Sequence, residues 1–271
     1  MPSTDDHVLA AAIAGRAGAL LLEVRRDAPA LSDSVRGSYD ELGIPETERR
    51  SLGDDGDRHA HDLIMSLLHQ ARPDDAVLSE EGVQPGQAHA QTEPGHGSRR
   101  IWIVDPLDGT REFSEGRADF AVHVALVEDG RPVAGAVALP GDDLVLATAD
   151  PPPLPPTTTG RLRMLVSRTR PPAVATAVAA RLDAETVPMG SAGAKAMAVV
   201  RGDGDVYLHA GGQYEWDSAA PVAVARAAGI HASRLDGSAL VYDQPDPWLP
   251  DLLICRPELL DRVLSAIQAG P

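Results

Sequence analysis

The chain has 271 residues, 43% of them apolar, one cysteine and a formal charge of −16 at pH 7. That length allows one large domain or two modest ones with a substantial core. The charge argues against coating a nucleic-acid polymer or an anionic membrane, which needs clustered positive groups, so an anionic small substrate must be held locally by metal and a few basic residues.

Cys255 has no partner for an internal disulfide, and no Cys/His cluster offers a zinc site; in its strand the thiol should be buried and inert. The chain begins with the acidic MPSTDDHV, and no apolar run approaches a membrane span. These features predict a cytoplasmic protein. Of 24 basic residues only Lys195 is a lysine.

From about Asp6 to Arg25 apolar residues recur at helical spacing, with Thr4 or Asp5 as N-cap. Ala28 to Ser51 is polar and broken by Ser, Gly and Pro, which predicts a loop with a short irregular stretch. Gly53 to Asp62 (GDDGDRHAHD) is dense in candidate ligands. His59, His61 and Asp62 approach the HxHxD pattern of dinuclear zinc hydrolases, but the acid falls one residue early. Leu63, Ile64, Leu67 and Leu68 instead continue a helix starting near Asp57, with the histidines on its polar side. Val77 to Ser79 reads as a short strand ending in Glu80 and Glu81, and Gly82 to Arg100 as an exposed loop with His89 and His96 solvated.

The central stretch is IWIVDPLDGTREF, Ile101 to Phe113. A buried strand, Ile101 to Val104, should stop at Asp105-Pro106, because proline cannot continue the ladder. Asp105 and Asp108 then leave the strand in one tight loop, with the Leu107 carbonyl between them, Gly109 permitting close approach of a ligand, and Thr110 adding a hydroxyl. Hard oxygen donors beside free N–H groups suit a divalent cation holding a phosphate. Phe120 to Val127 and Pro132 to Leu139 flank Glu128-Asp129-Gly130 as a hairpin, and Leu144 to Thr148 adds a strand.

PPPLPP, within Ala149 to Gly160, marks a boundary between residues 1–150, an α+β region, and residues 161–271, an α/β region. In the latter, strands are expected at Arg163 to Val166, near Val187, at Asp205 to Leu208 and at Leu252 to Cys255. Helices are expected at Val174 to Leu182, from Lys195 to about Val200, at Trp216 to Ala228 and at Glu258 to Ala269.

Three segments, VLSEE (Val77 to Glu81), DPLDGT (Asp105 to Thr110) and EWDSAA (Glu215 to Ala220), resemble in order and spacing the signature of the lithium-sensitive, magnesium-dependent phosphomonoesterases. That superfamily comprises inositol monophosphatases, fructose-1,6-bisphosphatases and 3'(2'),5'-bisphosphate nucleotidases. With VSRTR, GQYEWDSAAP and SRLDGS, the chain is most similar to the CysQ-type nucleotidases, actinobacterial ones above all, over roughly residues 50 to 256. The resemblance implies a layered αβαβα sandwich, a homodimer, two or three Mg²⁺ ions per site, and removal of the 3'-phosphate of adenosine 3',5'-bisphosphate or its sulfated relative in sulfur assimilation.

It also implies roles. Glu80 and Thr110 orient the attacking water, Asp57 helps to position it, and Glu80, Asp105, the Leu107 carbonyl, Asp108 and Asp217 hold metal. Gly109 and Thr110 N–H groups take phosphate oxygens. The family's Thr-x-x-Asp helix opening keeps its Asp here as Asp57, with Asp54 in place of Thr. SRTR stands where the family has Ser-Arg-Ser-His, so Ser167, Arg168 and Arg170 join Ser191 and Lys195 of GSAGAK as candidates for the nucleotide and its spectator phosphate.

On physical grounds four converging carboxylates repel one another unless cations neutralise them, and oxygen-only donors favour Mg²⁺ over Zn²⁺. Asp217 serves equally as a helix cap. Competing readings are an inositol or fructose-bisphosphate phosphatase with the same metal centre, and a catalytically silent Mg²⁺ and phosphate sensor. The latter is disfavoured because every expected carboxylate is present.

Overall fold

Apolar stripes at helical spacing and runs of β-branched residues resolve, in the computed structural model, into helices layered between sheets; residues 4–28, 46–82 and 100–270 are described. α1 (Thr4–Asp27) presents Ala10, Ile13, Ala14, Ala17 and Leu21 on one face, all buried. By length and composition its segment Asp6–Asp27 is able to cross a membrane, which corrects the expectation that no run approaches that length. The stripe is instead spent within the protein, against Ala60, Ile64 and Leu68 of α2 (Glu46–Ala71) and against Trp102, Val104, Val122 and Val124 of the first sheet. Ile13 and Leu21 each contribute about 1.5–3 kcal/mol of transfer free energy there, so an Asp at either position would detach the helix.

α2 begins at Glu46, well before the expected Asp57. Gly53 and Gly56 do not break it, because they are contact points: a Cβ at 53 would lie 2.7 Å from Thr110 Cγ2, and one at 56 would lie 2.9 Å from Phe113 Cε1. Their missing side chains let α2 settle on α3 (Thr110–Ser114).

The first sheet has the order β1-β2-β3-β4-β5, formed by Ala76–Ser79, Arg100–Asp108, Ala121–Glu128, Arg131–Leu139 and Leu144–Ala147. β1 is parallel to β2 and the other pairings are antiparallel. The expected hairpin forms at Asp129-Gly130, both at positive φ. β2 does not stop at Pro106 but runs on to Asp108. β1 has ended opposite Val104, so the ladder on that side asks nothing of residue 106, and a register shift against β3 between Asp105 and Asp108 accommodates the extra residue.

The second sheet has the order β7-β6-β8-β10-β9. These are β6 (Arg163–Ser167), β7 (Glu185–Met189), β8 (Val206–Tyr214), β9 (His231–Ser233) and β10 (Trp248–Cys255). β7, β6 and β8 are parallel, while β10 is antiparallel to both of its neighbours. α5 (Ala192–Arg201) and α6 (Glu215–Ala227) fill the space between the sheets, packing Met197, Val199, Ala220 and Val224 with Ile103, Val137, Leu165 and Tyr207. α4 (Ala173–Arg181) and α7 (Leu260–Gln268) cover the outer face through Val178, Val263 and Ala266. The layers are therefore αβαβα. β8 and β10 are longer than expected, β9 was not foreseen, and a 3-10 turn, Pro257–Leu259, precedes α7. The loop reading for 83–99 with His89 and His96, most of that for Ala28 to Ser51, and the capping side chains of Thr4 and Asp5 lie outside the described residues.

Candidate metal centre

The bulge in β2 sets both of its aspartates into one pocket, and α6 brings a third. One carboxylate oxygen from each of Asp105, Asp108 and Asp217 lies within 4.8 Å of the others. Asp105 Oδ1 accepts from Leu107 N at 3.1 Å. Asp217 is the third residue of α6, which starts one residue earlier than expected, and its Oδ2 accepts from Tyr214 N at 2.6 Å. It therefore ties off the helix and faces the cluster at once.

Glu80 opens a 3-10 turn after β1. The residue is solvent-exposed as a whole, with its carboxyl end turned towards the acidic group. Desolvation there, with repulsion from Asp217, Asp108 and Glu81, pushes it up to about 7. Asp217 is pushed up to about 6, by burial and then by Asp108. Asp105 lies well above the usual carboxylate range, by burial and then by Glu80 and Asp108.

Asp57 of α2 faces the same group. Thr110 Oγ1 has two acceptors for its one proton, Asp57 Oδ2 and the Leu107 carbonyl, each at 3.1 Å, while Asp57 Oδ1 is buried without a hydrogen-bond partner. Burial, then Glu80, Glu81 and, least, Asp54 push its carboxyl up to about 8. A buried, unpartnered carboxylate oxygen beside three crowded acids fits a site for hard divalent cations, and the donors are oxygen throughout.

Asp108 behaves oppositely. Burial would raise it, but hydrogen bonding and charge from His123, with Lys195 and Ser191, hold it well below the usual range. The first turn of α5 closes on it: Ser191 Oγ donates to Oδ2, Gly193 N to Oδ2 at 2.6 Å, and Ala192 N to Oδ1 at 3.1 Å. These donors sit at the positive end of the helix. Gly109, at φ 91°, allows the approach, since a Cβ there would come 3.3 Å from Ser191 Cβ.

The remaining expected substrate residues fall into two groups. Ser167 Oγ accepts from Arg170 N at 3.2 Å, and Arg170 is exposed on the loop after β6. Arg168 is engaged with α3, donating to Glu112 Oε1 at 2.8 Å and Glu115 Oε2 at 2.7 Å. Lys195 is buried, its Nζ donating to the carbonyls of Met189, Gly190 and Ser191 and lying 5.3 Å from the Tyr207 ring centroid. His61 donates to or accepts from Ser79 Oγ at 2.8 Å, fastening α2 to β1 rather than binding metal, and His59 is exposed.

Three participants were not read from the sequence. His123, fully buried opposite Asp105 in the β2–β3 ladder, bonds the Trp216 carbonyl through Nδ1 at 2.9 Å and has Nε2 3.3 Å from Asp108 Oδ2. A lone histidine inside the otherwise apolar FAVHVALV was the available signal. Asp119 receives Gly190 N at 2.7 Å and Arg117, and Glu112 receives Arg168; nothing in their local sequence distinguishes them.

The family model described as "Inositol monophosphatase family" matches residues 5–269. The chain belongs to that family. Among relatives, this inositol monophosphatase-family chain is 47% identical over 280 residues to the 3'-phosphoadenosine 5'-phosphate phosphatase of Mycobacterium leprae, covering 97% of this chain and 93% of the relative. It is 34% identical over 202 residues to the 3'(2'),5'-bisphosphate nucleotidase CysQ of Escherichia coli, covering 70% and 79%. In fold it is similar to CysQ from Bacteroides thetaiotaomicron, with a TM-score of 0.74 at 24% identity over 94% of this chain and 98% of that one. It is also similar to inositol monophosphatase II from Staphylococcus aureus, with a TM-score of 0.73 at 19% identity over 97% and 95%.

Proposed function

We propose that the chain is a magnesium-dependent phosphomonoesterase that removes the 3'-phosphate of adenosine 3',5'-bisphosphate, leaving AMP and phosphate, in cytoplasmic sulfur assimilation. The observation that carries the chemistry is the convergence of Asp105, Asp108 and Asp217 beside the Asp57–Thr110 pair. The names of the relatives carry the choice of substrate.

Glu80, Asp105, the Leu107 carbonyl, Asp108 and Asp217 would hold two or three Mg²⁺ ions. Bound there, the metal supplies neutralisation of phosphate charge and a lowered pKa for water. The protein's own part is positioning and proton handling. Thr110 Oγ1 is within reach of both the Leu107 carbonyl and Asp57, and its proton goes to Asp57 once that carbonyl is engaged elsewhere, leaving a lone pair to orient water. Free of metal, Asp57 at about 8 holds a proton at neutral pH; the charge of bound cations would lower it and leave the carboxylate able to take up a proton. Gly109 and Thr110 N–H groups take phosphate oxygens. Arg168 and Lys195 already have partners, so exposed Arg170 with Ser167 is assigned to the spectator 5'-phosphate. A homodimer belongs to the same reading.

The test is phosphate release with Mg²⁺ and with EDTA from adenosine 3',5'-bisphosphate, inositol 1-phosphate and fructose 1,6-bisphosphate. A preference for the nucleotide of about a hundredfold in kcat/KM, roughly 2.7 kcal/mol, is expected, with none of the activity surviving EDTA. Comparable rates would keep the metal centre and overturn the nucleotide preference, and no release from any of them would leave a phosphate sensor.

A further inference from the structure

The sequence holds two Phe, four Tyr and three Trp, and three of these meet at one corner beside Asp217. Tyr214 and Trp248 are paired across the β8–β10 ladder, so their side chains rise from the same face. Both are solvent-exposed, at 46% and 48%. The Tyr214 ring is stacked on Trp216 with centroids 4.7 Å apart and planes 11° apart, and buried Trp216 immediately precedes Asp217. Tyr214 N is itself bonded to the Asp217 carboxylate.

This corner is built rather than incidental. β8 carries one extra residue here, the pairing passing from Leu249↔Gln213 to Asp251↔Ala210, and consecutive Gly211 and Gly212, at φ 109° and 96°, absorb it. A Cβ at 212 would lie 2.5 Å from Trp248 Nε1, so only glycine lets the indole lie on the strand. Bulges of this kind re-aim side chains near active sites. The segment leading into Trp248 is clamped to the same turn of α6: buried Glu215 accepts from Asp243 N at 2.8 Å and Gln244 N at 3.0 Å, and Glu215 N donates to the Pro247 carbonyl at 2.9 Å. Both exposed rings are thereby fixed relative to Asp217.

We infer that Tyr214 and Trp248 form a stacking platform for the base of a nucleoside phosphate whose phosphate lies at the acidic cluster. The inference rests on the nucleotidase reading and adds to it the residues that separate nucleotides from sugar phosphates. An aromatic face rewards a flat π-system, which a ribose or inositol ring lacks, and it does so without reading base edges. The platform therefore selects nucleotides as a class, purines most strongly for their area.

The experiment compares kcat/KM for adenosine 3',5'-bisphosphate and for base-free ribose 3,5-bisphosphate in Trp248→Leu, Tyr214→Ala and Tyr214→Phe. The expected result is that the nucleotide-to-ribose ratio falls roughly tenfold or more in the first two variants, mainly through KM, and is retained by Tyr214→Phe. A ratio unchanged in both truncations overturns the inference, as does an unchanged ratio accompanied by a shift from dimer to monomer in sedimentation, which would make the corner a contact between copies. AMP titrated against the tryptophan emission of the full chain gives a readout independent of turnover. Saturable quenching that disappears in Trp248→Leu supports the platform even if neither substrate is hydrolysed and the nucleotidase reading fails; no quenching overturns it.

Discussion

Replacing Asp57 by Asn is expected to make the metal-free protein more stable while disabling it. The carboxyl is buried, one oxygen has no partner, and Glu80 and Glu81 repel its charge. In the unfolded chain it loses its proton near 3.8, in the folded chain near 8. Between those values the folded state binds the extra proton, so stability falls as pH rises through 4 to 8. At about 1.4 kcal/mol per pH unit the gap up to pH 7 amounts to about 4 kcal/mol, and to about half that where Glu80 takes up protons in its stead. Asparagine has the same shape and no proton to lose. Unfolding in EDTA should therefore show Asp57→Asn gaining about 2–4 kcal/mol at pH 7, or some 5–15 °C in Tm, shrinking towards zero near pH 4. Activity with Mg²⁺ should fall about a hundredfold or more. A variant of unchanged or lower stability at pH 7, or a gain that does not grow with pH, would refute the electrostatic account.

Because Asp57 lies at about 8, Glu80 at about 7 and Asp105 well above the usual range, the metal-free cluster holds protons at neutral pH that a divalent ion has to displace, and Asp217 at about 6 adds its own towards pH 6. The apparent Mg²⁺ affinity should rise from pH 6 to pH 8 with proton release, measurable by titration calorimetry in two buffers of different ionisation enthalpy; a pH-independent affinity would contradict it. Lys195→Met leaves buried carbonyls short of a donor and removes a cation near Asp108. It should lower stability by about 1–3 kcal/mol and weaken metal binding. An unchanged Tm with a loss confined to the KM of the nucleotide would instead return Lys195 to direct substrate contact.

What the sequence disclosed was local chemistry with a period. The Asp129-Gly130 hairpin, the apolar stripe of α1 and the carboxylates at strand and helix ends all carry short-range signals, and the structure brings Glu80, Asp105, Asp108 and Asp217 into one field of charge. The start of α2 at Glu46 rather than near Asp57 was not legible because what accommodates Gly53 and Gly56 in the helix is a contact with α3 that lies across the fold. Pro106 read as a stop because the early end of β1, which frees that side of the ladder, is a property of another strand. Arg168 and Lys195 stand in the sequence as candidates for the nucleotide, and their hydrogen bonds to Glu112 of α3 and to the β7–α5 turn are not visible there. In each case the residue type was legible and its partner was not, since pairing across sequence distance is settled by packing.

The burial of Lys195 has a practical consequence of its own. It is the only ε-amino group in the chain, and its Nζ is enclosed by carbonyls and the Tyr207 ring. Amine-directed acylating reagents meet no other side-chain target, so derivatisation of that position proceeds only when the middle helical layer separates from the second sheet. The extent of labelling at Lys195, read by mass after brief exposure to reagent, thus reports how often the interior opens, and the rarity of lysine turns an enclosed residue into a built-in gauge of breathing.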